Sequence, residues 1–485
     1  MRSTPKLTQK WASMLLLLLL LALILSACSP ASGGGTPGTA TATTAPVLLT
    51  EGAQSPAAAA PTGTPANLSA TAPAWARDAV IYQIFVRPFT PEGTLAAAQK
   101  RLPDLKDLGV NLIYLMPIHP IGKVNRKGTL GSPYSVQDYQ AIEPALGTEA
   151  DLKAFVDAAH GLGMHVIMDF VANHTSWDNV LTTQHPDWYK RTADGKFKPP
   201  NPDWTDVIQL DHTNPDLLRY MIDVTTHYIQ ADGVDGFRCD YSVGVPVAFW
   251  LQWRQALKQV NPDVFLLSEN DDLPLTAAFD ATYDQQTYKV MRDAFLQHKP
   301  RQLISQPVRD RLQYGDKRLE ARFLENHDQR RAAYPFQLAP PQALQAASAY
   351  LLTTDGIPFI ENGEEVGITE TLSLFEPDKV RWEIGNQALR DVFKRVLSIR
   401  NANSALRHGD IDDAKSSDPG VVAFLRRSPE QQVLVLISFA VYNTHVTLDP
   451  KVAARTGMDL DKGGSVDLAN GVDMSPWSWR IIELK

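Results

Sequence analysis

Four short stretches of this chain carry side chains that could do acid–base or nucleophilic chemistry. Asp169-Phe170-Val171-Ala172-Asn173-His174 supplies an acid, an amide and an imidazole close together. In Gly236-Phe237-Arg238-Cys239-Asp240 a cation precedes an acid by two residues, and alternation along a strand points both the same way. That neighbour is expected to lower the Asp240 pKa and keep it ionised, as a carboxylate nucleophile requires. Glu269 follows the apolar run Val264-Phe265-Leu266-Leu267-Ser268, where loss of hydration is expected to raise its pKa. Asn326-His327-Asp328 adds a further acid. A raised acid facing a depressed one is the pairing used in glycoside hydrolysis, and about 5 Å between the carboxyl groups gives retention through a covalent intermediate. Taken singly, each acid would serve as well for a helix cap or an ion pair. Their joint placement argues for chemistry.

These residues need a scaffold that brings them to one mouth. Eight apolar runs, at 80–86, 112–116, 166–170, 236–240, 264–268, 279–283, 322–324 and 357–360, alternate with helical patterns such as Leu152, Phe155, Val156 and Ala159, or Phe249, Trp253, Leu257 and Val260. Eight βα units predict a closed parallel (β/α)8 barrel of the TIM type, which presents its reactive groups where strands run out into the following loops. The acids stand at such strand ends. Residues 175–211 lack helical period and read as a loop domain over the mouth. Trp177, Trp188 and Trp204 within it are expected to pack its core rather than stack on a ligand. Beyond residue 405 the pattern becomes alternating strands with no helical stretch between them, so 75–405 is assigned to the barrel and 406–485 to an antiparallel β-sandwich domain.

In this order, the stretches resemble the α-amylase family, glycoside hydrolase family 13. The resemblance runs from Trp75 to Lys485 and implies a retaining hydrolase of α-glucans or malto-oligosaccharides, with Asp240 as nucleophile, Glu269 as acid/base and Asp328 as transition-state stabiliser. It further implies that the substrate-binding set is Tyr134, Asp169, His174, Arg238 and His327, with His174 and His327 hydrogen-bonding the sugar, Tyr134 stacking on it and Arg238 orienting the nucleophile. Calcium is the one cofactor implied: Asn173 matches a family ligand, whereas Gln209 stands where many members carry an acidic one. A second departure is Val243-Gly244, where many amylases have a Lys-His pair. Trehalose synthases and small-sugar α-glucosidases or transglycosidases share the same machinery, and a non-catalytic glucan-binding protein is the alternative outside enzymes. Glu364 and Glu365, after the eighth run, could be mistaken for the acid pair; Glu364 reads as a support behind the site or as structural, and His119 stays outside the catalytic set.

The first 27 residues read as a secretory leader: Arg2, Lys6 and Lys10 precede an apolar run ending at Leu25. Leu25-Ser26-Ala27-Cys28 resembles the bacterial lipoprotein box, which implies that Cys28 is lipidated and anchors the protein to a membrane; ordinary cleavage would leave a free cysteine. Residues 28–74, rich in Ala, Thr, Pro and Gly, read as a disordered tether. With Cys28 beside the leader and Cys239 in a strand, neither an intramolecular disulfide nor a cysteine-rich metal site is expected. A net charge of −8 gives no indication of a nucleic-acid partner.

Overall fold

The computed structural model describes residues 72–297, 300–305, 307, 319–334 and 340–485. The expected leader, Cys28 and the expected tether as far as residue 71 lie outside the described residues. Eight parallel strands close into a barrel in chain order: Ile81–Ile84, Leu112–Leu115, His165–Phe170, Gly236–Cys239, Phe265–Ser268, Ala281–Tyr283, Leu319–Phe323 and Ile357–Glu361. The eighth returns to the first with Ile81 opposite Phe359. Most of these strands are buried along their whole length, because barrel strands face side chains within and helices without, which explains continuous apolar runs where a one-sided sheet would alternate. Gly236 opens the fourth strand where a Cβ would stand 1.9 Å from the Phe265 carbonyl oxygen, so only glycine lets the fourth and fifth strands approach.

The outer helices form for local reasons and stay for tertiary ones. Helix Glu149–Gly161 begins with a capping box between Thr148 and Asp151 and buries Leu152, Phe155, Val156 and Ala159. Burying each larger apolar side chain contributes about 1.5–3 kcal/mol. Helix Val247–Val260 buries Phe249, Trp253 and Leu257 with the expected spacing, and Trp250 and Arg254 beside them. The seventh strand starts earlier than the apolar pattern indicated, at Leu319, because its charges are paired: Arg322 reaches Glu320 at 2.8 Å and Asp355 at 3.0 Å and also binds Asp284.

After the third strand, His174–Ser176 pairs antiparallel with Val207–Gln209 and anchors the loop domain. The C-terminal region is a six-stranded antiparallel sheet from Asp410 to Leu484 with a two-stranded sheet, Thr444–Val446 and Val472–Met474. Both faces of its central strands are buried. Val421, Ala423 and Leu425 join a core with Val446, Leu468 and Met474, while Val422 and Phe424 join the barrel's core. Phe424 meets Tyr350 edge-on at 6.1 Å, and Arg426 donates to the Thr353 carbonyl at 2.8 Å. One expectation fails here: a short helix, Pro450–Ala453, interrupts the strands, started by Asp449 accepting from the Lys451 N–H. The barrel and this sheet belong to one compact unit.

Candidate active site

Strand register assembles the site. Arg238 lies opposite Asp169 on the third strand and Leu267 on the fifth. The ladder continues one step past the strand ends, with the Asp240 N–H on the Phe170 carbonyl at 3.0 Å and the Glu269 N–H on that of Cys239 at 3.2 Å. Asp240 and Glu269 therefore emerge side by side at one mouth. The fully buried Arg238 guanidinium ties them together: Nη1 lies 2.9 Å from Asp169 and 3.0 Å from Asp240, and Nη2 lies 3.2 Å from Glu269. Tyr114, Tyr134 and Tyr283 present their rings to the same cation.

A chain of hydrogen bonds extends from this cation to the seventh strand. Asp169 Oδ2 accepts from Tyr114 and, at 2.9 Å, from Tyr134. The Tyr134 hydroxyl lies 2.7 Å from His327 Nε2, with the two rings stacked. Gln83 Nε2 donates to His327 Nδ1 at 2.7 Å, which leaves the imidazole proton on Nε2, facing Tyr134 and, at 3.4 Å, Asp328. Each member is oriented by its neighbour. Arg238 holds Asp240, as the resemblance implies, while neither it nor Asp169 lines the cleft, which differs from the assignment of both to the substrate-binding set; they position the groups that do line it.

The cleft itself is a cavity of about 240 Å³ lined by Tyr134, His174, Asp240, Glu269, His327 and Asp328, all expected from the sequence. Its walls also include Lys127, Trp204, Asp206, Tyr241, Leu374 and Phe375. The direction of the Asp240 shift is a correction. Burial and the adjacent Glu269 push its carboxyl well above the usual range, against the pull of Arg238. The sequence shows Arg238 as one cation beside one acid, whereas the fold makes it serve three carboxylates. Burial lowers the His174 imidazole to about 4, so it meets a ligand neutral.

A family model of the alpha-amylase catalytic domain matches residues 60–209 and 203–404. The chain belongs to the alpha-amylase family. Alpha-amylase 2 of Dictyoglomus thermophilum is 26% identical over 406 residues, 76% of this chain and 70% of that protein. Among solved structures, a noncanonic maltogenic alpha-amylase from Thermotoga neapolitana superposes with a TM-score of 0.78 at 32% identity, covering 84% of this chain and 99% of that one. An alpha-amylase from Lactobacillus plantarum gives 0.77, also at 32% identity and the same coverages.

Within this alpha-amylase frame, Trp204 overturns an expectation. It lines the cleft, edge-on to His174 at 5.6 Å and to Tyr241 at 4.9 Å, whereas Trp188 is buried core as expected. Tyr241 was not singled out in the sequence, although it follows Asp240 directly. It adopts a left-handed backbone (φ 39°), a strain of about 1–2 kcal/mol, which turns its N–H onto Glu269 Oε2 at 2.6 Å. Gly244 of the departing Val243-Gly244 pair is required by packing, since a Cβ there would stand 2.5 Å from Asn173 Oδ1. His119 bonds the Ala141 carbonyl at 3.0 Å and Cys239 is fully buried; neither lines the cleft.

Calcium takes six to eight oxygens, most of them charged or carbonyl. Asn173 Oδ1 is buried without a hydrogen-bond partner, which suits a ligand. The acids nearby are already engaged, Asp206 with Lys127 and Asp211 with Thr213, and Gln209 is neutral. Among the described residues, the group of three potential ligands that does converge, Glu149, His227 and Asp232, lies on outer helices and the turn beyond, outside the cleft lining. The donor set around Asn173 does not make a calcium site.

Proposed function

We propose that this protein hydrolyses α-glucosidic bonds of α-glucans or malto-oligosaccharides with retention of configuration, with Asp240 as nucleophile, Glu269 as acid/base and Asp328 as stabiliser of the transition state. The observation that carries the reading is Arg238, whose two terminal nitrogens hold Asp240 and Glu269 at the rim of one cleft. Carboxyl groups held by one guanidinium suit the roughly 5 Å spacing of a retaining pair better than the 6.5–9.5 Å that an inverting enzyme keeps for a water. Curated relatives bearing the names cyclomaltodextrinase and maltogenic alpha-amylase support the substrate class.

In the first step an Asp240 oxygen attacks the anomeric carbon while Glu269 passes its proton to the departing glycosidic oxygen. Glu269 Oε2 is held by Tyr241 and Arg238, which leaves Oε1 to carry that proton. In the second, Glu269 removes a proton from water, the resulting hydroxide attacks the anomeric carbon, and the Asp240 ester bond breaks. Asp328, at the rim, faces the ring as positive charge develops. His174, Tyr134 and His327 offer hydrogen bonds to hydroxyls, and Trp204 offers a face for a sugar ring. Chelation is expected to leave turnover unchanged.

The test is product analysis with maltoheptaose. Release of α-anomeric sugars, falling more than about 10³-fold in Asp240→Asn, is expected; β-anomeric product, or wild-type rates in the variant, would refute the assignment. A complete set of strand-end acids opening on a cleft is what a merely glucan-binding protein would not need.

We further propose that the protein is exported and held to a membrane through a lipid on Cys28. The support is the leader-like run and Leu25-Ser26-Ala27-Cys28. Among the described residues, no helix is long and apolar enough to cross a membrane. Fractionation of cells making the full chain should place it with membranes and Cys28→Ala in the soluble fraction; equal membrane retention of both would count against the lipid.

A further inference from the structure

Helix Glu149–Gly161 leads into the third barrel strand, and helix Pro215–Gln230 leads through residues 231–235 into the fourth. Where the start of the first helix meets the end of the second, three side chains converge: a carboxylate oxygen each from Glu149 and Asp232 and a ring nitrogen of His227 all lie within 4.8 Å of one another. Local structure fixes their places. The capping box of Thr148 and Asp151 sets the first turn, which carries Glu149. His227 stands in the last turn of the second helix, which ends with the Ala231 N–H on the His227 carbonyl at 2.7 Å. Gly233, with φ 78°, then turns the chain so that the Val234 N–H reaches the Tyr228 carbonyl at 3.1 Å. Asp232, within this turn, is only 1% exposed.

An exposed pair of His227 and Glu149, with Nε2 and Oε1 2.6 Å apart, would alone be ordinary surface chemistry. Asp232 is not ordinary. Its Oδ2 is buried without a hydrogen-bond partner among the described residues, and an uncompensated carboxylate is costly to bury. The neighbouring cation Lys153 is taken by Asp157 at 2.9 Å. Burial first and Glu149 second push the Asp232 carboxyl up to about 6. We propose that Glu149, His227 and Asp232 bind one divalent transition-metal ion of the zinc type, which clamps the two helices together. One imidazole nitrogen and two carboxylate oxygens suit zinc, whereas calcium and magnesium favour oxygen throughout. Zinc holds such ligands at about 2.0–2.2 Å, hence roughly 3.3 Å from one another in a tetrahedron. Asp232 is the ligand that burial fixes. Glu149 and His227, both exposed, need to part by less than about 1 Å to admit the ion, and water completes the shell. The three residues lie outside the cleft lining, so the ion acts on the stability of the joint rather than on bond cleavage, and the inference stands apart from the hydrolase reading.

The test uses the full chain without an affinity tag, stripped of metal with EDTA and then dialysed. Titration with zinc chloride should show one ion bound with a Kd below about 10 μM. Saturating zinc should raise the melting temperature by about 2–4 °C, and calcium chloride at the same concentration should not. Asp232→Asn keeps the shape of the side chain and removes its charge. That variant and His227→Gln should each weaken zinc binding at least about 100-fold and lose the thermal shift. No zinc bound by the wild type, zinc bound as tightly by both variants as by the wild type, or calcium bound more tightly than zinc would each overturn the site. Because His227 is exposed, His227→Gln keeps the test decisive if Asp232→Asn fails to fold.

Discussion

Of the arginines buried among carboxylates in this barrel, Arg238 and Arg331 differ in what lies beyond them. Arg238 serves Asp169, Asp240 and Glu269, and two of those acids reach the cleft. Arg331 serves Glu325 at 2.7 Å and Glu361 at 3.4 Å, with Glu364 accepting the Glu361 N–H at 3.0 Å, and all of these are buried outside the cleft lining. In both places acids outnumber the cation. Burial raises the Glu361 carboxyl to about 8 and Glu364 well above the usual range. A surplus of carboxylates around one arginine is therefore not itself a catalytic signature. Access to a ligand separates a reacting set from a structural one, and Arg331, which also donates to the Asn362 carbonyl at 3.0 Å, ties the seventh strand to the eighth.

The sharpest way to break this contrast is to remove each cation. Arg238→Lys should cut kcat/KM by about 10³-fold with modest loss of stability, because an ammonium cannot hold three carboxylates in a plane. Arg331→Met should instead cost about 3–5 kcal/mol in urea unfolding while the folded enzyme keeps its turnover within roughly tenfold. If Arg331→Met lost turnover at unchanged stability, the distinction between the two sets would fail.

A smaller effect concerns the acid limb of the pH profile. Asp240 is held up by burial first and by Glu269 second, so ionised nucleophile is lost as pH falls through a raised pKa. Glu269→Gln removes one of those causes. With an α-maltosyl fluoride, whose departure needs little proton assistance, the limb of kcat/KM in Glu269→Gln should move to lower pH than in the wild type. A limb that stays in place would mean that the two carboxyls do not interact.

The mildest effect lies on the sealed side. A carboxyl raised from about 4.5 unfolded to about 8 folded contributes stability at low pH that is lost as pH rises through that window. Glu361→Gln should therefore raise stability by about 1–3 kcal/mol at pH 8, with the gain shrinking toward pH 4. Thermal melts across that range would show it, and a gain that grew on acidification would reverse the sign and the explanation.

Much of the site was legible because barrel strands place their ends on one face. Asp240 and Glu269 could be read from apolar runs that stop at an acid and Asp169 from its place near a strand end, whereas the role of Asp328 came from the resemblance to the α-amylase family. The seventh strand was read short because charges inside it look like a loop until their partners from other segments are seen, as with Arg322, Asp284 and Asp355. Trp204 was read as core because a tryptophan in a small loop domain has the same local pattern whether it faces inward or toward the cleft.

The sequence by itself determined the order of the strands, the acids at their ends, the loop domain and the change to an antiparallel sheet, since these follow from periodicity and chain order. Only the tertiary structure decided that Arg238 is divided among three carboxylates, that Asp240 is raised rather than lowered, and that Lys127, Asp206 and Phe375 meet around one rim. The physical reason is that electrostatic balance and steric closure depend on every group within a few ångströms, and in a closed barrel those groups come from segments far apart in the chain.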